Sequence, residues 1–169
     1  MKQPSAFVAI TATLLLVGLV APAGEAIAQG NKSIAGTYSA VSSVATDASG
    51  KKTDTYGANP RGQLILSPDG NYSLTLARRD LPKFASGSRT KGTPDENAAV
   101  VGGSITHFGK YNVADDGKTL TFHIQTSSYP NWDGTKQERP FTMKGGILTY
   151  KVAASSGGGT GEVSWKRIK

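Results

Sequence analysis

The residues of this chain whose types and positions suit chemistry are few: two histidines, a pair of arginines and a tryptophan in a turn. His107 lies in Ser104–Val113, SITHFGKYNV, on the face of Ile105 and Tyr111 if the segment is extended. An imidazole so placed reads as a general acid or base, or as a hydrogen-bonded interior histidine. Arg78 ends the stretch NYSLTLAR, and Arg139 lies in KQERPFTM. At a cavity mouth a guanidinium would hold an acid through charge-assisted hydrogen bonds. The bland reading has these arginines pairing with acids such as Asp80 or Glu138. Trp132 belongs to Ser128–Thr135, SYPNWDGT, where Asn131, Asp133 and Gly134 mark a turn. Tyr129 and Trp132 are large rings that prefer cover, so this turn must lie against a ligand or over a core.

Other chemistries find no support. His107 and His123 have opposite parity in different segments and the chain has no cysteine, so no metal site is expected. Asp115-Asp116-Gly117 is a turn, and no carboxylate pair stands at an identifiable catalytic spacing. Gly157-Gly158-Gly159 has no following helix with Lys-Ser/Thr, so it is not a phosphate loop, and no cofactor is expected. The net charge of +7 comes from scattered residues, without a basic run and without aromatics interleaved on a basic face. That argues for solubility and against nucleic acid, while leaving a basic exterior that an envelope or protein partner could use.

The elements that must position these residues alternate with period two. Eight strands are predicted: Ile34–Val44, Gly62–Ser67, Asn71–Arg78, Ser104–Val113, Thr119–Ser127, Lys136–Met143, Gly146–Ala153 and Gly161–Ile168. Between the third and fourth strands, GTPDENAAVVGG predicts a short helix, with Thr93 as N-cap, Pro94 at N1 and Glu96 completing a capping box. Tight turns at Ser67–Gly70, Ala114–Lys118 and Lys144–Gly146 alternate with long connections at 45–61, 79–103, 128–135 and 154–160. In an up-and-down barrel this puts every long loop at one rim and every tight turn at the other. The fold expected is therefore all-β: an eight-stranded antiparallel up-and-down β-barrel with one loop-decorated open end, the lipocalin plan. An outer-membrane barrel would need an outward apolar band, whereas Ser73, Thr75, Thr121, His123 and Gln125 face outward.

Strand direction then assigns depth. Arg78, His107 and Arg139 belong near the mouth; Leu74, Phe122 and Phe141 lie lower; Tyr111 lies below His107, and Tyr150 shares a face with Leu148 and Val152. Pro140, inside the sixth strand, cannot donate to a ladder, so a bulge or a gap is expected there. The set expected to touch a ligand is Arg78, His107, Tyr111, Phe122, Trp132, Arg139, Phe141 and Tyr150. The alternative is a barrel filled by its own side chains.

The N-terminus reads as an export signal. Lys2 precedes the apolar run Phe7–Val20, and Ala26-Ile27-Ala28 forms an Ala-x-Ala cleavage site. Residues 1–28 are expected to be removed, leaving residues 29–169 as one secreted or periplasmic domain without a membrane span. Removal takes away Lys2 and Glu25, so the net charge stays at +7.

The stretches GQLILSPDGNYSLTL, RRDLPKFASG, GTPDENAA, HFGKY, PNWDGTKQERPF and SWKR, in that order from Gly62 to Arg167, resemble the lipocalin-like domain family of bacterial and fungal proteins, within the lipocalin superfamily. Members tend to carry Gly-x-Trp on the first strand, its ring packed under an arginine of the last. Here the words are Gly36-Thr37-Tyr38 and Arg167. The resemblance implies a barrel with an internal cavity and a small apolar or amphipathic ligand, possibly an acid. Relatives in the superfamily also include isomerases, cyclases and hydratases, so a cofactor-independent barrel enzyme is the second reading, and a partner-binding module the third.

Overall fold

The structure is a computed structural model that describes residues 30–169. The expected leader and its cleavage point lie outside the described residues. The strands are β1 (Gly36–Thr46), β2 (Lys52–Asp54), β3 (Arg61–Leu66), β4 (Asn71–Ala77), β5 (Ser104–Val113), β6 (Thr119–Ser127), β7 (Lys136–Lys144), β8 (Ile147–Val152) and β9 (Thr160–Arg167). All pairings are antiparallel, and β1 meets β9 along Tyr38↔Arg167 to Thr46↔Thr160, closing β1 and β3–β9 into an eight-stranded barrel. Alternation does the sorting. In β4, Tyr72, Leu74 and Leu76 are buried while Asn71, Ser73 and Thr75 are exposed; in β6, Leu120, Phe122 and Ile124 are buried while His123 and Gln125 are exposed.

The helix α1 (Pro94–Gly102) carries the full capping box: the Thr93 hydroxyl accepts from the Glu96 N–H at 3.2 Å, and the Glu96 carboxylate accepts from the Thr93 N–H at 2.8 Å. Its expected position between the third and fourth strands needs correction. It lies between β4 and β5, because the first long connection folds back on β1 and adds the short strand β2, paired Val44↔Asp54 to Thr46↔Lys52. The charged, polar sequence of β2 carries no alternation to signal a strand. The first strand also starts later than expected, at Gly36, because residues 30–34 are helical.

That helical turn plugs the narrow end. Ile34 is 2% exposed, and the Asn31 side-chain carbonyl accepts from the Val113 N–H at 3.0 Å. Beneath it Arg167 lies over the Tyr38 ring, 5.3 Å from its centroid, and donates to the Tyr38 hydroxyl at 2.8 Å. Tyr38, Leu64, Leu66, Leu120, Leu148 and Trp165 fill this half of the barrel, none more than 1% exposed. The four long connections gather around the opposite rim, since residues from each of them border one cavity there. The barrel is thus both things the sequence left open: solid at the closed end, hollow at the mouth.

Pro140 shapes one wall of the hollow half. No bulge occurs on its β6 side, where pairing runs from Thr119↔Pro140 to His123↔Lys136. On the β8 side the ladder covers only Phe141↔Tyr150 to Lys144↔Ile147. The Phe141 N–H points to β6, donating to the Lys118 carbonyl at 2.8 Å, so the nitrogen of Pro140 faces β8, where its missing proton removes a ladder bond.

Candidate functional site

The cavity at the mouth has a volume of about 610 Å³, within the usual range for small-molecule sites. Five of the eight expected residues border it: His107 from β5, Phe122 from β6, Trp132 from the loop after β6, Arg139 from β7 and Tyr150 from β8. Three do not. β4 ends at Ala77, so Arg78 lies just past the strand; its side chain is 47% exposed and its Nε donates to Asp80 at 3.1 Å. Tyr111 lies in the closed end, its hydroxyl donating to the Ser67 carbonyl at 2.8 Å. Phe141 is half-buried and packs against the core. The expected pairing with an acid forms for Arg78, with Asp80, whereas Glu138 pairs with Lys136 at 2.8 Å and not with Arg139.

The aromatic floor and wall are continuous. Tyr72 and Phe122 lie with ring centroids 4.6 Å apart, His107 meets Phe122 edge-on at 5.8 Å, and Phe122 meets Tyr150 at 5.9 Å. Trp132 meets His107 edge-on at 5.8 Å and Tyr129 at 5.6 Å. Such contacts are each worth about 0.5–1.5 kcal/mol beyond area burial. The loop that carries Trp132 is tied down: Pro130–Trp132 forms a 3-10 turn, Asp133 accepts from the Ser127 N–H at 2.7 Å, and Ser128 and Thr106 exchange hydrogen bonds at 2.8 and 3.0 Å. A tryptophan stands in a turn because the turn is folded over the mouth, with the indole perpendicular to the site's histidine ring.

Polar groups interrupt and back this apolar lining. The Tyr72 hydroxyl and His107 Nδ1 are 2.8 Å apart. Arg139, 7% exposed, donates to the Gln137 side-chain oxygen. Burial, then the charge of Arg139, pushes the His107 pKa down to about 4, so the ring is neutral at pH 7. Burial also raises the Tyr72 phenol far above its ordinary value and pushes Tyr150 up to about 12. Below them, the Trp165 indole N–H sits near enough to the Tyr150 hydroxyl to lower its pKa slightly, yet it makes no well-formed hydrogen bond.

Sequence reasoning missed Gln137, Tyr56 and the Tyr72–His107 bond. Gln137 shares the face of Arg139 by period two, and Tyr72 was already on the inward face; only the β4–β5 register, Tyr72↔Gly109 with Leu74↔His107, shows that they meet diagonally. Tyr56 sits in a long connection where no periodicity speaks.

A family model described as a lipocalin-like domain matches residues 35–168. Among curated proteins, a relative in Aspergillus oryzae named as the 4'-hydroxy-3'-methoxypropiophenone carrier protein ppsC is 32% identical over 82 residues, covering 45% of this chain and 74% of that protein.

Proposed function

The chain belongs to the lipocalin-like domain family, and from that premise we propose that it is a carrier of a small amphipathic molecule, most naturally an aromatic one with a polar substituent. The observation that carries this reading is a hollow barrel mouth in which His107, Phe122, Trp132 and Tyr150 surround a space with one buried guanidinium, Arg139. Aromatic walls suit an aromatic ring, and the polar cluster suits its substituent. The relative named for carrying a hydroxylated aromatic ketone supports the same class.

The test is direct. Purified protein is titrated with 4'-hydroxy-3'-methoxypropiophenone, a retinoid and a long-chain fatty acid while tryptophan fluorescence is followed. Saturable binding at one site per chain supports the carrier; lack of saturable binding to all three overturns it.

A cofactor-independent enzyme, such as an isomerase, cyclase or hydratase, would draw on the same Tyr72–His107 pair. A histidine with its pKa near 4 is a weak base at pH 7, which favours hydrogen bonding to a ligand over proton abstraction. We also propose export, with the mature chain starting at Gln29. Asn31 and Ile34, two and five residues after that point, are packed in the closed end, which suits a mature chain that starts there. Mass measurement of periplasmic protein expressed with its own leader checks it; a mature chain retaining Met1 rejects it.

A further inference from the structure

We infer that the cavity takes its ligand as an anion, the charged oxygen of a phenolate or a carboxylate serving as the counter-ion that Arg139 lacks. The inference rests on the carrier reading and names the chemistry of what is carried. Arg139 is 7% exposed, and among the described residues its side chain has one hydrogen-bond partner, the neutral amide of Gln137. The two ion pairs among the described residues, Arg78–Asp80 and Lys136–Glu138, are both exposed and lie elsewhere. Among the described residues, no aspartate or glutamate borders the cavity.

The groups near Arg139 are neutral whichever strand supplies them. Tyr72 comes from β4, His107 from β5 and Tyr150 from β8, and each interacts with the Arg139 charge. β6 contributes Phe122, and β7 itself contributes Gln137. The site therefore holds one positive charge and no negative one. A guanidinium has five N–H donors, and a carboxylate or phenolate oxygen can accept those that are free. Burying a lone charge is costly, and supplying its partner removes most of that cost. A neutral ligand leaves the cation uncompensated. For a phenol, burial alone favours the protonated form. Pairing with the desolvated guanidinium favours the phenolate, and where the ligand's oxygen meets Arg139 directly the phenol proton passes to solvent on binding.

The experiment uses the full chain and two matched pairs of probes: 4-hydroxyacetophenone with its methyl ether 4-methoxyacetophenone, and benzoate with methyl benzoate. At pH 7 each ionisable probe should bind about tenfold or more tightly than its neutral partner. Bound 4-hydroxyacetophenone should show the long-wavelength absorption of its phenolate below the pH at which it ionises in water, and should release protons into weak buffer. Arg139→Gln should remove the preference, weakening benzoate and 4-hydroxyacetophenone by about tenfold or more relative to their neutral partners. A red shift without a benzoate preference identifies a phenolate site; a benzoate preference without a red shift identifies a carboxylate site. If ether and ester bind as well as their partners and the phenol spectrum stays neutral, the anion inference is wrong while the carrier reading survives. If none of the four probes binds, the aromatic-carrier reading fails and takes the inference with it. Should Arg139→Gln not fold, the wild-type spectrum and acid-to-ester ratio still decide.

Discussion

Tyr72 reaches diagonally across the β4–β5 ladder to His107, its hydroxyl 2.8 Å from Nδ1, in a pocket whose next charge is the Arg139 guanidinium. The folded protein therefore refuses a proton that the unfolded chain accepts. The His107 pKa falls from an ordinary 6.5 to about 4. Between those values the unfolded state binds more protons, so stability should fall as pH drops from about 6.5 to 4, by on the order of 3 kcal/mol in total. Urea unfolding followed across this range should show that slope in the wild type, and His107→Asn should flatten it. Asp47, Asp69, Asp80 and Glu96, whose pKa values are lowered mainly by hydrogen bonds, lose their contributions only as pH falls through the carboxylate range, and they do so equally in both proteins. An unchanged slope in His107→Asn would mean that His107 titrates normally.

The two tryptophans report on opposite ends of the barrel. Trp132 is half-buried at the mouth against His107, while Trp165 is 0% exposed in the closed end. A bound aromatic ligand should quench or shift the emission of Trp132 and leave that of Trp165 nearly unchanged. Trp132→Ala should weaken binding by about 1–3 kcal/mol, from lost apolar contact and edge-to-face packing. Single-tryptophan variants separate the signals. A response confined to Trp165 would place the ligand outside the cavity described above.

Much of this architecture was legible because period-two patterning is a local property. Leu120, Phe122 and Ile124 declare their face whatever the partner strand, and long and short connections sort themselves between two ends. The site was legible where a ladder held it and, for Trp132, where turn residues set a large ring in a long rim loop. His107 and Arg139 point inward by parity within a strand, but Arg78 sits one residue past the last paired residue of β4, where alternation no longer constrains a side chain. Tyr111 had the right face and the wrong depth. How far the core fills the barrel depends on the helical turn at residues 30–34, on the strand registers and on side-chain volumes together, and periodicity records none of these. β2 is set by pairing with β1 rather than by its own sequence.

The closed end makes a different use of an aromatic residue than the family pattern suggests. Tyr38 receives the Arg167 guanidinium over its ring and on its hydroxyl, and the same hydroxyl donates to the Ile34 carbonyl at 2.5 Å. One oxygen thus ties the first strand, the last strand and the N-terminal helical turn. Tyr38→Phe keeps the ring and removes that oxygen, so it should cost about 1.5–3 kcal/mol in chemical denaturation. Tyr38→Trp, which restores the family residue, should also destabilise, because indole cannot stand in for the hydroxyl and the site is already fully packed. A stabilised Trp variant would show that the cation–π contact dominates this end.

Gly109 is required by proximity. It sits at the irregularity in the β5–β6 ladder, where pairing steps from Phe108↔Thr126 to Gly109↔Ile124 and leaves Gln125 without a partner. This extra residue on β6 brings its backbone close. A Cβ at position 109 would collide with the His123 carbonyl oxygen and lie 2.8 Å from the Gln125 nitrogen. Both are backbone atoms, so no side chain can swing aside. The bulge matters to the site because it separates the paired run Tyr111↔Phe122 from His107↔Ser127, setting the height of His107 relative to Phe122. Gly109→Ala should therefore cost more than about 3 kcal/mol, or prevent folding. Gly117→Ala is the control. Gly117 has a φ of +67° but open space around it, so alanine there should cost only about 1 kcal/mol of backbone strain. Thermal or urea unfolding of the two variants, side by side, distinguishes a steric requirement from a conformational one. If the two losses are equal, the β5–β6 irregularity yields to a methyl group, and the height of His107 is set by something other than this bulge.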